Sequence, residues 1–145
     1  AVVTTQRPSA FATLTNSAGQ APRVLVAEDV PTNQVIAQML LESFGCHVDL
    51  VGNGAEAVNA MAHGSYDLVL MDVAMPKMDG VEATRIIRRE LRPEQQPYII
   101  AMTANAFDDQ RRTYLESGMN DYVSKPVQPD LLLAALRRIS LPAAT

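Results

Sequence analysis

Short apolar runs in this sequence end on side chains that can do chemistry. In chain order, the polar residues at these ends are Glu28, Asp29, Asp72, Thr103 and Lys125. Two like charges about 4 Å apart repel by about 4 kcal/mol at an effective dielectric constant of about 20. If the three carboxylates lie together, a raised pKa or a bound cation must relieve their repulsion.

A site made from these residues would suit a small hard cation and an anionic ligand. Carboxylate oxygens favour hard divalent ions, and a shallow cup of three carboxylates that leaves room for water suits Mg²⁺ better than Ca²⁺. Lys125 adds a movable positive charge and Thr103 adds a hydroxyl, and both can hold anionic oxygens. A carboxylate beside a metal and two such groups is suited to phosphoryl chemistry on the carboxylate itself.

The elements that must position these residues alternate along the chain. Runs with the length and β-branched content of buried strands are Val24–Ala27, Val48–Val51, Leu68–Met71, Tyr98–Met102 and Tyr122–Val123. Apolar stripes with helical spacing are Ile36, Leu40 and Phe44, then Ala83, Ile87 and Leu91, and finally Leu132, Leu136 and Ile139. This α/β alternation predicts a doubly wound parallel sheet with helices on both faces. In such a sheet, sites form beyond the carboxyl ends of the strands.

Local signals mark where the helices begin and end. Asn53 with Glu56, and Asp79 with Glu82, have the spacing of capping boxes at two helix starts. Proline is tolerated in the first turn of a helix, and glycine favours the position after its last turn. The residues that fit these rules are Pro31, Pro129 and Gly118.

Composition limits the classes of protein that fit. The chain has 145 residues, of which 48% are hydrophobic and 19% charged, and this suits one globular domain. A net charge of −4 without a Lys/Arg cluster argues against direct nucleic-acid binding. No apolar run has the length of a membrane span. Cys46 is the only cysteine, which excludes an internal disulfide, and we expect a small core residue rather than a reactive thiol.

Four motifs carry a resemblance to a known family. They are AED at 27–29, LMDVAMPKMDG at 70–80, MTAN at 102–105 and SKP at 124–126. In this order on these strand ends, they resemble the receiver domain of two-component response regulators. The segments EDVPTNQ and GMNDYVSKP are similar to receivers attached to hybrid sensor histidine kinases. The resemblance implies a flavodoxin-like (βα)5 fold with a five-stranded parallel sheet in strand order 2-1-3-4-5.

The resemblance places the receiver domain at residues 23–141. Residues 1–22 are rich in Ala, Thr and Ser without a sustained period, which indicates a linker or disordered tail, although Phe11 and Leu14 could anchor a short extra element. We expect residues 142–145 to be a C-terminal tail. The composition of the N-terminal segment and the missing initial Met favour a piece of a hybrid histidine kinase over a free-standing single-domain regulator.

The family implies a role for each carboxylate. Asp72 would be the phosphoacceptor, which attacks a phosphoryl group carried by a histidine and becomes an acyl phosphate. Glu28 and Asp29 would bind Mg²⁺ together with Asp72 and the backbone carbonyl of Ala74. Glu28 is longer than the aspartate of many receivers, so it could act through a water. Taken singly, such residues have simpler interpretations, because a strand-end Asp can cap a turn and acids are favoured at helix N-termini.

The resemblance also implies which residues hold and report the phosphoryl group. Thr103, the amide of Ala104 and Lys125 would bind phosphoryl oxygens, and the Lys125–Pro126 peptide bond is expected to be cis. Thr103 would then move toward the phosphoryl group while Tyr122 turns inward, which changes the face formed by the fourth helix, fifth strand and fifth helix. Alternatively, Tyr122 is a fixed core aromatic with its hydroxyl at the rim.

The donor histidine is expected to belong to another domain, either a histidine kinase dimerisation domain or a histidine phosphotransfer domain. His47 lies in a predicted strand and His63 ends a predicted helix, so neither is a good donor. In isolation we expect a cytoplasmic monomer, although the parent protein could be membrane-anchored. Any activity of its own is expected to be limited to self-phosphorylation and autodephosphorylation.

Functions of other kinds fit less well. A phosphohydrolase with an aspartyl nucleophile would usually carry a second Asp where Ala74 stands, two residues after the first. A flavodoxin-like cofactor binder would hold a phosphate at the loop after the first strand, but AEDVPTNQ is acidic there. A degenerate receiver that signals without phosphorylation is disfavoured because all the required residues are present.

Overall fold

The computed structural model describes residues 19–104 and 108–144. Most of the segment 1–22, which we expect to be a linker or tail, lies outside the described residues, as do Asn105 and the side chain of Ile139. Within the described part of the chain, no helix has the length and apolar character to cross a lipid bilayer.

Strands and helices alternate along the described chain. The strands are β1 (Arg23–Ala27), β2 (His47–Val51), β3 (Leu68–Asp72), β4 (Tyr98–Thr103) and β5 (Asp121–Ser124). The helices are α1 (Pro31–Ser43), α2 (Gly54–His63), α3 (Gly80–Glu90), α4 (Asp108–Ser117) and α5 (Pro129–Ala144), with a short 3-10 turn at Pro93–Gln95. All the strands are parallel, in the order β2-β1-β3-β4-β5. The predicted doubly wound fold and its strand order are therefore confirmed.

The central strand of the sheet is β3, which is buried along its whole length. It lies between β1 and β4, and Ala27 pairs with Met71 while Asp72 pairs with Met102. Strands covered on both faces have continuous apolar sequences of this kind. Because parallel strands end on the same side, this register brings the residues that follow β1, β3 and β4 to one edge of the sheet.

The core lies on both faces of the sheet, because alternate residues of each strand point in opposite directions. On one face, Val26 packs with Leu41 of α1 and Leu132 of α5. On the other face, Leu25 packs in a cluster with Ile87 of α3 and with residues of α2 and α4. Each fully buried aliphatic side chain contributes about 1.5–3 kcal/mol. The two layers together hold the strand ends in a fixed arrangement.

The predicted helix ends agree with the structure. Asn53 Oδ1 accepts a hydrogen bond from the N–H of Glu56 at 2.9 Å, and Asp79 Oδ1 accepts one from the N–H of Glu82 at 2.8 Å. After α4, Gly118 has a φ of 112°, a left-handed conformation that glycine adopts without strain. At the other end of the chain, α5 continues to residue 144, so it includes most of the segment expected to be a tail.

The inward face of α1 differs from the predicted stripe. Ala37, Leu41 and Phe44 are buried, whereas Ile36 is 43% exposed and Leu40 packs at the margin of the core. The prediction is wrong at Ile36 because α1 has apolar residues on more than one face, so helical spacing alone does not select the buried one. Several apolar side chains of α1 consequently remain at the surface.

Cys46, between α1 and β2, is buried, which agrees with its prediction as a core residue. Burial, with a smaller contribution from the charge of Asp67, raises the pKa of its thiol to about 12. Since the thiolate is the reactive form of cysteine, this residue stays protonated and inert at neutral pH.

Candidate functional site

Three carboxylates meet at the carboxyl edge of the sheet and form what we call the acidic cluster. Glu28 and Asp29 follow β1, Asp72 ends β3, and one oxygen of each lies within 4.8 Å of the others. Glu28 and Asp72 are buried, whereas Asp29 is exposed. The cluster therefore has one side open to solvent. Three carboxylate oxygens with an open side fit a hard divalent cation that keeps some of its waters.

Lys125 lies beside the two buried carboxylates. Its Nζ is 2.9 Å from Asp72 Oδ2 and 3.4 Å from Glu28 Oε1. The end of β5 holds it there, since the N–H of Lys125 donates to the Thr103 carbonyl at 2.8 Å. The Lys125–Pro126 peptide bond is cis. Residues that are far apart in the sequence thus form a single charged site.

The carboxylate of Asp72 is held at both of its oxygens. Oδ2 accepts from Lys125, and Oδ1 accepts from the N–H of Ala74 at 3.1 Å; Ala74 itself is exposed in the loop after β3. That loop returns to the strand end, where the N–H of Gly80 donates to the carbonyl of Val73 at 3.2 Å. A Cβ at position 80 would overlap the carbonyl oxygen of Asp72, so glycine permits this close approach.

Glu28 is fully buried, and its surroundings raise the pKa of its carboxyl group. Burial is the largest cause; the N–H of Val30, which donates to Oε2 at 2.9 Å, lowers the pKa, while the Asp72 charge raises it and that of Lys125 lowers it. Gln34 fixes the backbone by donating from Nε2 to the Glu28 carbonyl at 2.7 Å. The net upward shift means that the charged form lacks compensation, which a bound cation would supply.

The pKa of Lys125 is also raised. Burial lowers it, but the hydrogen bonds and charges of Asp72 and Glu28 outweigh that effect. The side chain of Lys125 is 22% exposed, so its charge keeps contact with water, whereas that of Glu28 is completely buried. Lys125 consequently remains protonated. With three carboxylates and one ammonium group, the site has an excess of negative charge.

Thr103 and Ala104 lie at the end of β4, next to the strand that carries Asp72. Thr103 is buried and Ala104 is exposed. The hydroxyl of Thr103 lies 3.1 Å from the hydroxyl of Tyr114 on α4, a residue that is not part of any of the four sequence motifs. Its residue type was the available signal, because Tyr114 is the one aromatic residue of a mostly polar helix whose other large apolar residue is Leu115.

Tyr122 lies in β5 beside α4 rather than in the acidic cluster. Its hydroxyl accepts a hydrogen bond from Arg111 Nη1 at 3.0 Å, and the guanidinium carbon lies 5.9 Å from the ring centroid. The structure therefore gathers the predicted carboxylates and lysine at one point and places Tyr122 outside it, in contact with α4.

Comparison with known proteins identifies the family. The sequence pattern of the response regulator receiver domain matches residues 24–137, a range that contains the acidic cluster and all but the first residue of the sheet. The chain belongs to the response regulator receiver family. Its role is thus that of a receiver domain in two-component signalling.

Curated relatives of this receiver domain include large sensor proteins. Sensor protein GacS of Pseudomonas syringae pv. syringae is 46% identical over 110 residues, which cover 74% of this chain. Aerobic respiration control sensor protein ArcB of Escherichia coli K12 is 36% identical over 115 residues, which cover 79% of this chain. The match spans only 12% of GacS and 15% of ArcB, so it corresponds to a small part of each.

Solved receiver structures resemble this one closely. The receiver domain of sensor histidine kinase PA1611 from Pseudomonas aeruginosa PAO1, which has a magnesium ion in its active-site cleft, is 38% identical with a TM-score of 0.75. The comparison covers 86% of this chain and 99% of that one. The receiver domain of Ssk1, crystallised with the Saccharomyces cerevisiae histidine phosphotransfer protein Ypd1, is 30% identical with a TM-score of 0.78, covering 87% and 93%.

Proposed function

We propose that this receiver domain accepts a phosphoryl group from a phosphohistidine onto Asp72. A carboxylate oxygen forms the new P–O bond, the P–N bond to the donor imidazole breaks, and its electron pair returns to the ring nitrogen. The product is an aspartyl phosphate. The observation that carries this proposal is the buried Asp72 carboxylate, held by Ala74 and Lys125 within a cluster of excess negative charge.

The residues present fit a magnesium ion, which neutralises negative charge on the transferred group when it is bound. Glu28, Asp29 and Asp72 offer three carboxylate oxygens, and we propose the backbone carbonyl of Ala74 as a further ligand. The net rise in the pKa of Glu28 supports this assignment, because the site lacks enough positive charge without a cation. The magnesium-bound receiver of PA1611 supports it from a relative.

Groups of the chain itself hold the remaining phosphoryl charge. Lys125 is protonated and 2.9 Å from Asp72, so it can pair with a phosphoryl oxygen. The Thr103 hydroxyl and the Ala104 N–H, at the end of the neighbouring strand, are the proposed donors to the other oxygens. Thr103 then moves toward the phosphoryl group and Tyr122 turns inward, which changes the surface formed by α4, β5 and α5.

Phosphorylation by a small-molecule donor tests the assignment of Asp72. Incubation with Mg²⁺ and acetyl phosphate should add one phosphoryl group, seen in the intact mass. Asp72→Asn should abolish that addition, whereas Asp67→Asn, which alters a carboxylate at the opposite end of the same strand, should retain it. A mass shift that persists in Asp72→Asn would overturn the assignment.

We further propose that the donor domain docks on α1. Large apolar side chains exposed on or beside this helix are Val30, Val35, Ile36 and Met39. Met39 lies three residues after Ile36 and four after Val35, so these three are neighbours on the helix surface, and such a group of exposed apolar side chains is typical of an interaction surface. Ile36 also lines a small cleft with Glu28 and Lys125, so the surface continues into the site. A histidine held on a helical donor domain could therefore reach Asp72 while that domain covers α1.

The expected donor is a histidine phosphotransfer domain or a histidine kinase dimerisation domain. The receiver of Ssk1, crystallised with a phosphotransfer protein, supports the first kind of partner. The sensor proteins GacS and ArcB, of which the match spans a small part, support a parent protein of the hybrid histidine kinase type. We propose that the isolated domain is a cytoplasmic monomer.

Separate rates for protein and small-molecule donors test the docking surface. Met39 is 65% exposed, and Met39→Glu should slow transfer from a phosphorylated histidine domain at least about tenfold. Labelling by acetyl phosphate should be unchanged, because the acidic cluster is intact. Leu115→Glu, on the exposed side of α4, is the matched control and should leave both rates alone. Equal transfer by Met39→Glu and the unsubstituted chain would refute docking on α1.

A further inference from the structure

A tyrosine on α4 contacts the site but has no role in the proposed function. Tyr114 is 5% exposed, and its hydroxyl lies 3.1 Å from that of Thr103, a residue that is 2% exposed. A tyrosine hydroxyl at such depth needs a hydrogen-bond partner. Thr103 provides one, from the strand end at which a phosphoryl oxygen would be bound.

The same helix contacts Tyr122. Arg111, one turn before Tyr114 on α4, donates a hydrogen bond to the Tyr122 hydroxyl. Both residues that are proposed to move on phosphorylation are thus hydrogen-bonded to α4. The Arg111–Tyr122 hydrogen bond is exposed to solvent, where such contacts contribute little, whereas the Thr103–Tyr114 bond is buried and more costly to break.

We propose that Tyr114 is a positioning residue that holds Thr103 in its unphosphorylated arrangement, and that Thr103 gives up this contact in order to bind the phosphoryl group. This inference rests on the proposed function of Asp72. When Thr103 moves toward Asp72, the Tyr114 hydroxyl loses that partner while still buried, unless α4 shifts. The Thr103–Tyr114 hydrogen bond thereby couples the phosphorylation state of Asp72 to the position of α4.

The substitution Tyr114→Phe isolates this hydrogen bond. The ring of Tyr114 belongs to the core cluster that contains Ile99 and Met119, and phenylalanine keeps that packing while it removes the hydroxyl. Without the bond, the unphosphorylated arrangement loses the stabilisation of about one buried hydrogen bond. The phosphoryl-bound arrangement is then favoured about fivefold to tenfold.

Titration with the phosphoryl mimic beryllofluoride in the presence of Mg²⁺, followed by NMR, measures this shift. Tyr114→Phe should lower the apparent Kd for beryllofluoride about fivefold to tenfold and leave the Kd for Mg²⁺ alone unchanged. Tyr66→Phe, which removes a hydroxyl bonded to Asp49 at 2.6 Å away from the site, should change neither value. An unchanged or higher beryllofluoride Kd in Tyr114→Phe would overturn the role of Tyr114. Failure of the unsubstituted chain to bind beryllofluoride would instead overturn the proposed function.

A measurement on the unsubstituted chain keeps the inference testable even if Tyr114→Phe folds poorly. The chain has four tyrosines, so labelling with ¹³Cζ-tyrosine yields one resonance for each. Phe substitutions at the other three assign the Tyr114 resonance by elimination. Saturation with beryllofluoride should move the resonance of Tyr114 and leave that of Tyr66 in place. A Tyr114 resonance that does not respond to bound beryllofluoride would contradict the proposal.

Discussion

Two cations, Lys125 and Arg88, are partly buried in this receiver domain, and their surroundings differ in charge. Lys125 lies between the carboxylates of Asp72 and Glu28. The described partners of Arg88, on α3, are neutral oxygens at 2.7–2.8 Å, and they belong to Gln96, Pro97, Gly118 and Asn120. The guanidinium group therefore joins the end of α3 to the segment just before β4 and to the segment just after α4.

The difference in charge indicates that Arg88 makes a structural contact, whereas Lys125 belongs to a binding site. Burial lowers the pKa of Arg88, and fixed neutral acceptors occupy four of its five N–H donors, so little of its hydrogen-bonding capacity remains. For Lys125, the carboxylates outweigh the effect of burial on the pKa, and negative charge remains in excess around it. The two clusters thus differ in the sign of the charge in excess and in whether one side is open to solvent, rather than in the amount of buried charge. The acidic cluster, with its excess of negative charge and its side open to solvent, has a physical reason to bind a cation.

Removal of Arg88 should have the largest effect on stability. Arg88→Ala leaves several oxygens without their donor and removes the packing of the side-chain stem, so the free energy of unfolding should fall by about 2–4 kcal/mol. Arg88→Lys should recover less than half of that loss, because a single ammonium group cannot reproduce the planar fork. Urea denaturation measures both values.

The neighbouring arginine is the matched control for this prediction. Arg89 is exposed and pairs with the adjacent Glu90 at 3.6 Å, so Arg89→Ala should change the free energy of unfolding by less than about 0.5 kcal/mol. Equal losses for Arg88→Ala and Arg89→Ala would show that the Arg88 cluster does not hold these segments together.

Each of the two clusters has a glycine whose Cα lies close to a neighbouring residue of the cluster. At Gly80 an added Cβ would overlap the backbone oxygen of Asp72, whereas at Gly118 it would come within 2.6 Å of Arg88 Cγ, which belongs to a flexible side chain. Gly80→Ala should therefore cost about 2–3 kcal/mol and also weaken Mg²⁺ binding, because the strand end that carries Asp72 must move. Gly118→Ala should cost about 1–2 kcal/mol through its positive φ and leave Mg²⁺ affinity unchanged.

Calorimetric titration with Mg²⁺ and chemical denaturation distinguish these effects. Gly52→Ala is the control, since its Cβ would meet only Glu56 Oε1, at an ordinary 3.6 Å. If Gly118→Ala weakens Mg²⁺ binding as much as Gly80→Ala does, then the effect of Gly80→Ala does not arise from the strand end that carries Asp72.

The sequence predicted the fold and the gathering of the acidic cluster because both depend on short-range patterns. The continuous apolar runs, such as Leu68–Met71, locate each strand to within one residue of its observed ends. Asp72 and Lys125 follow from position alone, since the carboxyl ends of parallel strands share one edge. A two-residue run at Tyr122–Val123 was enough to locate β5, although it extends over Asp121–Ser124.

Other features depend on how distant elements pack, which spacing does not encode. The exposure of Ile36 follows from the rotation of α1 about its axis, and several rotations bury apolar residues. Tyr114 becomes important only because α4 places its hydroxyl at Thr103. The partners of Arg88 come from loops and strand starts up to 32 positions away, so no local sequence motif predicts them.

Removal of Lys125 should have a smaller effect on stability, and it should depend on Mg²⁺. Without Mg²⁺, Lys125→Met leaves Asp72 and Glu28 unneutralised, and the free energy of unfolding should fall by about 1–2 kcal/mol, because protonation of one carboxyl limits the loss. A bound cation can replace the missing charge. Saturating Mg²⁺ should therefore raise the stability of Lys125→Met by about 1 kcal/mol more than that of the unsubstituted chain.

Arg88→Ala is the control for the effect of Mg²⁺ on the stability of Lys125→Met. Its partners are neutral, so Mg²⁺ should stabilise Arg88→Ala by the same increment as the unsubstituted chain. Denaturation curves with EDTA and with Mg²⁺ give each increment directly. If Lys125→Met and Arg88→Ala respond to Mg²⁺ alike, then Lys125 does not share the charge of the acidic cluster with the cation. The excess negative charge would then lie elsewhere than between Asp72 and Glu28.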